Sequence, residues 1–459
     1  MSLNLYNTLT RDITPFTPIE PGKVGIYLCG ATVQAPPHIG HVRSGINFDI
    51  LRRWLITSGY EVTFIRNITD IDDKIIHRAG HEDIPWWALA QKYERVFTAA
   101  YSELNVMPPT YEPRATGHIT QMIQLISCLI ERGKAYPVSN GDVYLDVRAL
   151  DSYLTLSGQK LDDLQSSADW EESIKNYPQD FALWKSVKPG EPFWSTPWGD
   201  GRPGWHIECS AMAHAYLGPE FDIHGGGIDL KFPHHENEIA QSQAAGYGFA
   251  KLWMHNAWVT TSGEKMSKSL GNSLQVMEIF KRVRGIELRW YLGSAHYGSM
   301  LEYSPEALDE SAVNFRRVES FLKRAADKLG KTPDISIADD FAAAMNDYLA
   351  VPVALAVISE LVNDGNNAAT AKDLHTLNIK AAQVRGALSV LGCDPWDNSW
   401  VKSDVGLDDV LAGLVQTLLD EREEARVRKD FASADRIRNR MTSLGVTIED
   451  TPDGPRWSR

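Results

Sequence analysis

Near the N-terminus the run Val24-Gly25-Ile26-Tyr27-Leu28-Cys29 is short, apolar and stopped by Gly30; a proline-bearing loop follows, and from Val42 to Ile56 apolar positions recur at helical spacing. The segment reads as strand, loop, helix. Ser58-Gly59 then punctuates the chain before a second strand, Glu61 to Ile68, and another helical stretch starts near Asp70. This β-α-β order predicts a parallel sheet that presents ligands with the carboxyl ends of its strands. From about Tyr111 to Gly201 the pattern changes. A helix from Ile119 to Gly133, a short strand from Asp142 to Asp146 and a polar stretch rich in Trp, Pro and Gly up to Trp205 suggest an insertion within the sheet domain. Strands return at Phe221 to His224 and at Trp253 to Thr260. Beyond about Ser304 helical spacing dominates, over Pro305 to Leu329, Phe341 to Leu361 and Ala369 to Leu391, with Asn363 to Thr370 and Asp394 to Ser403 as connectors. The C-terminal stretch reads as a separate unit, a charged helix pair followed by a strand at Val446-Thr447-Ile448-Glu449. No internal repeat is present.

Composition narrows the picture. At about 150 residues per domain, a chain of 459 residues suggests three domains or so. Hydrophobic residues at 43% and charged residues at 23% supply a full core and exclude disorder as the main state. No run approaches the ~18 consecutive apolar residues of a membrane span, and Met1 to Glu20 lacks a basic-then-apolar signal pattern, so the expected compartment is cytoplasmic. With 46 Lys+Arg against 60 Asp+Glu the net charge is −14, which argues against a protein that coats nucleic acid non-specifically but leaves room for a local basic patch. The four cysteines, Cys29, Cys128, Cys209 and Cys393, are too few and too scattered for a disulfide scaffold, so each is either a buried small hydrophobe or a ligand.

Three constellations carry chemistry. Pro36-Pro37-His38-Ile39-Gly40-His41 falls between a strand and the start of a helix. Free N–H groups and the helix dipole attract phosphate there, Gly40 lets a nucleotide lie against backbone, and two imidazoles three residues apart can donate to phosphate oxygens as charge develops. The plainer alternative is that both histidines pad the turn. Gly263-Glu264-Lys265-Met266-Ser267-Lys268-Ser269-Leu270-Gly271 sets two lysines among small residues, as suits a loop closing over polyphosphate, although such runs are more often simple basic loops. The third set is Cys29, Cys209, His234 and Glu238. His234 and Glu238 at i and i+4 share one face of a helix, and two thiolates, an imidazole and a carboxylate favour zinc over magnesium or calcium. Burial as ordinary core is the competing account for Cys29 and Cys209, and the preferred one for Cys128 and Cys393.

A His-x-Gly-His element after the first strand and a Lys-Met-Ser-Lys-Ser element after a late strand form the paired signature of class I aminoacyl-tRNA synthetases. Gly204-Trp205-His206-Ile207-Glu208-Cys209-Ser210, the run from His224 through Gly225-Gly226-Gly227 and Asp229 to His234-His235-Glu236-Asn237-Glu238, and Asn67-Ile68-Thr69-Asp70-Ile71-Asp72-Asp73-Lys74 are more specific still. Over essentially its whole length the chain resembles the cysteinyl-tRNA synthetase family.

The resemblance implies an α/β fold: a Rossmann-like parallel-sheet catalytic domain (1–112 and 202–260) with a connective insertion (113–201), a mobile-loop and stem-contact region (261–318), a helical bundle (319–395) and a small mixed α/β anticodon-recognition domain (404–459). It implies one zinc per chain on Cys29, Cys209, His234 and Glu238, selecting a thiol over serine's hydroxyl. Catalytic zinc usually keeps three protein ligands and one open position, so Glu238, the hardest donor, is the one expected to yield. Thr32, Ser44, Thr69 and Trp205, with Asn67 beside them, would line the cysteine pocket; Gly227, Asp229 and the Val259 backbone would receive adenosine. His38 and His41 would stabilise the transition state while Lys265 and Lys268 hold pyrophosphate. ATP with Mg2+, L-cysteine and tRNA(Cys) are the implied partners, the chain a monomer without membrane contact. His206 and His224 are candidate outer partners of the ligands, and His235 reads as structural. Gly30-Ala31-Thr32-Val33-Gln34 departs from the family's usual Gly-Pro-Thr-Val-Tyr, which bears on loop shape alone.

Two rivals remain: a mycothiol-pathway cysteine ligase, which shares the pocket but joins cysteine to an amino sugar, and an inactive RNA-binding paralogue. The ligase lacks a tRNA-reading terminus. Here Arg422 to Arg440 holds seven basic and four acidic residues, a local charge of +3. Arg428, Arg436 and Trp457 suit phosphate contact and base stacking, against the alternative of a solvated helix face.

Overall fold

Lys23–Leu28 forms strand β1, sealed from solvent at Ile26, Tyr27 and Leu28. In the computed structural model, which describes residues 2–164, 174–261, 264–265, 274–400, 407–451 and 454–458, it is followed by helix α1 (Ile39–Thr57), strand β2 (Glu61–Arg66) and helix α2 (Asp73–Glu82). Helix α1 is buried on nearly all sides, so its sequence shows no single apolar stripe. After the insertion come α3 (Trp205–Leu217), β3 (Glu220–Gly227), α4 (Glu236–Ala244) and β4 (Phe249–Asn256). The four strands make one parallel sheet in the order β4-β3-β1-β2. From β1 the chain builds outward to β2, then returns on the other side to β3, so strand order reverses between β1 and β3. A crevice opens at the carboxyl ends of strands at such a reversal.

Several elements differ from the sequence expectation, each for a packing reason. Strand β3 runs past His224 through all three glycines. The space beside Gly225 is filled by Phe48 and that beside Gly226 by Leu230 and His235, so only Gly227 is left to face a ligand. The expected strand from Trp253 to Thr260 is broken after Asn256, and a short β5 (Val259–Thr261) pairs with β6 (Glu264–Lys265) and with β7 (Leu301–Glu302). Within the insertion, the stretch read as merely polar builds most of a five-stranded antiparallel sheet: Ala135–Pro137, Val143–Leu145, Phe181–Ser186, Trp194–Thr196 and Gly199–Pro203. Gly201 and Gly204 permit its close turns, since a Cβ at either would strike the carbonyl of Lys185 or Ala182.

The helical region holds Pro305–Leu329, continuous through position 318, then Asp339–Asn346, Val351–Ala371 and Leu374–Leu391. Asn363 to Thr370, expected as a connector, is helical. Gly365 lies against the Phe321 ring and Ala368 is buried, so packing outweighs the poor propensity of the Asn-Asp-Gly-Asn-Asn run. Conversely, Phe341 to Leu361 is not one helix. Tyr348 and Leu349 adopt left-handed backbone at φ 57° and 51°, and Pro352 sits in the first turn of the next helix. Lys372 is likewise left-handed, and Asp373 caps the last helix by accepting from the Thr376 N–H (3.0 Å). No helix among the described residues is long and apolar enough to cross a membrane.

Two compact units emerge, Met1–Asp397 and Asn398–Arg459. In the second, helices Leu407–Val427 and Phe431–Ser443 enclose a small core of Val415, Leu419, Met441, Val446 and Ile448 with the strand Thr447–Thr451. That strand pairs with a second, Gly454–Ser458, which the sequence reading did not anticipate.

Candidate active site and metal centre

Cys29 directly follows β1, and its N–H donates to Gly225 O (3.0 Å) on β3, which places its thiol in the crevice between the two strands. Gly30 must follow it, because a Cβ there would collide with the Asn67 carbonyl. Cys209 points in from α3, and Glu238 from the first turn of α4. His234 lies in a π-helical turn, Lys231–His235, that is kinked at the extended Phe232 and runs into α4, and its Nε2 sits 3.1 Å from Glu238 Oε1. The Cys29 and Cys209 sulfurs are 3.7 Å apart and Cys29 Sγ is 3.4 Å from Glu238 Oε1. All four donors fall within 4.8 Å of one another, and all four residues are buried.

These spacings fit zinc. Bonds of about 2.3 Å to sulfur and 2.0–2.1 Å to nitrogen or oxygen place tetrahedral donors roughly 3.3–3.8 Å apart. The deeper set of Cys29, His224, His235 and Glu238 is also close enough to hold an ion. Cys29, Cys209 and His234 line the cavity described below, whereas His224 and His235 do not, so only the first set could meet a substrate.

Surrounding side chains fix the ligands. His206 Nδ1 is 2.9 Å from His234 Nδ1, which leaves the Nε2 of His234 directed at the thiols, and the Trp205 ring stacks on His234 with centroids 4.3 Å apart. Glu238 Oε2 is held by His224 Nε2 (2.7 Å), and His235 Nδ1 pairs with His255 Nε2 (2.8 Å). Burial pushes the Cys29 and Cys209 thiols up and the His234 imidazole down, so a cation binding there must displace thiol protons.

Above this floor lies a cavity of about 320 Å³. Of the residues expected to touch substrate, Thr32, Ser44, Thr69, Trp205, Gly227, Asp229 and Val259 all line it. Asn67 does not. Its Oδ1 accepts from the Gly30 N–H (2.8 Å) and its Nδ2 donates to Thr69 Oγ1 (3.3 Å), so it shapes the wall from behind. The Thr69 hydroxyl is held in turn by Glu208 Oε2 (3.0 Å), a carboxyl that burial first, and repulsion from Asp72 second, keeps well above the usual range.

The cavity's other side is the N-terminus of α1. His38 occupies the cap position and its N–H donates to His41 Nδ1 (3.2 Å), while the two rings stack at 3.7 Å. Gly40 lies between them, where a side chain would press on the His38 ring. Lys268, with most of the Gly263 to Gly271 run, lies outside the described residues. Lys265 is described through its backbone, which pairs β6 with Thr260 of β5.

Residues 15–313 match the family described as the class I (C) catalytic domain of tRNA synthetases, and residues 408–457 the cysteinyl-tRNA ligase anticodon binding domain. The chain is 56% identical to the cysteine-tRNA ligases of Streptomyces avermitilis and Streptomyces griseus, in each case over 100% of this chain and 99% of the relative. It is 55% identical to that of a Nocardioides species over the full length of both. The chain belongs to the cysteine-tRNA ligase family. Solved structures agree on the fold: Mycobacterium tuberculosis methionyl-tRNA synthetase with methionyl-adenylate aligns with a TM-score of 0.59 at 17% identity, covering 80% of this chain and 89% of that one.

Within this family member, the three residues singled out in the terminal unit are not alike. Arg428 is exposed beside Glu424 (3.7 Å) and Arg436 is exposed beside Ser433 (2.8 Å), whereas Trp457 is half-buried against the small core. Three residues near the catalytic cavity went unassigned from sequence. Glu208 sat unread within the run around Cys209, and His255 is one more residue on a strand. Arg43 carried no signal beyond following His41.

Proposed function

We propose that this chain activates L-cysteine with ATP and transfers it to the 3′-terminal adenosine of tRNA(Cys), acting in the cytoplasm as a monomer. The single observation that carries the reading is the Cys29, Cys209, His234 and Glu238 floor lying beneath a cavity whose far wall is the His38–His41 helix terminus. A zinc ion on those four donors would supply a soft Lewis acid that favours a substrate thiol over serine's hydroxyl. Glu238 is the donor best suited to yield a position, its other oxygen remaining on His224.

Trp205 and Thr69 enclose the amino acid, and the polar network through Asn67 and Glu208 holds Thr69 in place. Gly40, Gly227 and the Val259 backbone leave room for adenosine, with the Asp229 carboxylate at hand for ribose hydroxyls. In the first step a carboxylate oxygen of cysteine attacks the α-phosphorus of ATP and the bond to the β-phosphate breaks. His38 and His41 donate to the phosphoryl oxygens as charge builds there, while Lys265 and Lys268, with Mg2+, receive the leaving pyrophosphate. In the second step the tRNA hydroxyl attacks the activated carbonyl and AMP departs. The stretch from Arg422 to Arg440, with a local charge of +3, Arg428 in the turn between the two helices and Arg436 on the second, favours tRNA over an amino sugar as acceptor.

The test is charging with radiolabelled cysteine, offered tRNA and an amino-sugar acceptor in parallel. Label on tRNA is the expected result. Label on the sugar alone would overturn the reading.

A further inference from the structure

Arg43 lies on α1 between the cavity-lining residues His41 and Ser44 and is 0% exposed. No described carboxylate pairs with it. Its guanidinium serves four backbone carbonyls instead: Nη1 donates to Ala257 O (2.9 Å) and Trp258 O (3.0 Å), and Nη2 to His296 O (3.2 Å) and Ser299 O (2.7 Å). Burial lowers its pKa to about 10, so the group remains charged at neutral pH. A buried charge balanced only by carbonyl dipoles is a poor stabilising device, and an apolar side chain of similar volume would commonly serve stability as well or better. The choice of arginine calls for another reason.

Its partners supply one. Ala257 and Trp258 lead into β5, and Ala257, Trp258 and Val259 all line the cavity. His296 and Ser299 lead into β7, whose Leu301 N–H donates to the same Trp258 carbonyl (3.0 Å). Strand β5 also pairs with β6, which carries Lys265. One planar fork thus joins the helix bearing His38 and His41 to both segments that lead into the β5–β7 pair. A lysine ammonium, a single point with three donors, cannot span the four carbonyls.

We propose that Arg43 is a positioning residue for ATP: it sets the backbone of Ala257–Val259 against which the nucleotide lies and registers the β5–β6 hairpin against the two histidines. This rests on the assignment of that wall to ATP. It places no group of Arg43 on the substrate.

The test uses the full chain and its Arg43→Lys and Arg43→Gln variants in cysteine-dependent ATP–pyrophosphate exchange, with ATP and cysteine varied separately and with zinc content and thermal melting measured alongside. For Arg43→Lys the KM for ATP should rise about ten-fold, the loss expected for hydrogen bonds from a charged donor, while the KM for cysteine stays within about two-fold and one zinc per chain is retained. Arg43→Gln should raise the ATP KM further. If Arg43→Lys keeps the unaltered chain's ATP KM, the assignment fails. Variants that no longer fold, or that raise both KM values equally, would make Arg43 structural only and equally overturn it. Absence of cysteine-dependent exchange in the unaltered chain would instead bring down the underlying ATP reading.

Discussion

The two sides of the catalytic cavity are built by different means. The floor is made of side chains: two thiols, an imidazole and a carboxylate, all buried, with the imidazole and the carboxylate each held by a further histidine ring. The opposite wall combines the stacked His38 and His41 rings with stretches of close backbone approach, at Gly40, Gly227 and the Ala257–Val259 segment. On the proposed function, the first would supply chemical selectivity and the second shape. An amino acid differs from its competitors by a single functional group, whereas a nucleotide offers a large flat ring and a charged tail, and these demands call for donors in one place and clearance in the other.

If that division is real, the largest separable effect comes from the floor. Cys209→Ser should release the metal and lower cysteine activation by several kcal/mol of barrier, about 10³-fold, while a non-hydrolysable ATP analogue binds as before. Metal analysis and equilibrium nucleotide binding check both halves, and loss of nucleotide binding in the variant would break the comparison. At the wall, His41→Ala should lower kcat for pyrophosphate exchange by about 10²–10³-fold with zinc content and the cysteine KM unchanged. A rise in the cysteine KM instead would show that the two sides are not independent. Removing 398–459 should reduce tRNA charging by about 10²-fold, roughly 3 kcal/mol, and leave exchange intact, since that unit has its own core. Equal losses in both assays would give the terminal unit a role in activation. The smallest expected effect is His206→Gln, which removes the ring holding His234 and should loosen zinc by about 10–100-fold in a chelator competition without moving the ATP KM.

The same division decides what could be read from the sequence. Cys29, Cys209, His234 and Glu238 were legible because their chemistry belongs to the residue types, whatever the local geometry; His234 lies in a kinked helical turn that runs into α4 and reaches Glu238 at i+4. The wall was harder. Gly227 was singled out by the resemblance alone, and only the positions of Phe48, Leu230 and His235 show that Gly225 and Gly226 are needed for packing. Arg43 was illegible for a related reason, since its carbonyl partners lie 214 to 256 residues away and a carbonyl carries no sequence signal. In the fold as a whole, the β-α-β core followed from the order of apolar runs and Gly/Pro punctuation, although α1 carries no single apolar stripe. The insertion's sheet did not, because its strands are three to six residues long and rich in residues that punctuate elsewhere. The helix through Asn363 to Thr370 exists only because Phe321 is there to receive Gly365.

Cys29 and Glu238 are separated by 209 positions in the chain, although their donor atoms lie 3.4 Å apart. During synthesis at about 5–20 residues per second, the first thiol therefore leaves the ribosome some 10–40 s before its last partner is made. No truncated product ending before α4 carries the complete set, so an aborted chain cannot sequester metal as the finished protein would. An ion held by all four donors would therefore be acquired only after α4 has been made, late in the life of the nascent polypeptide.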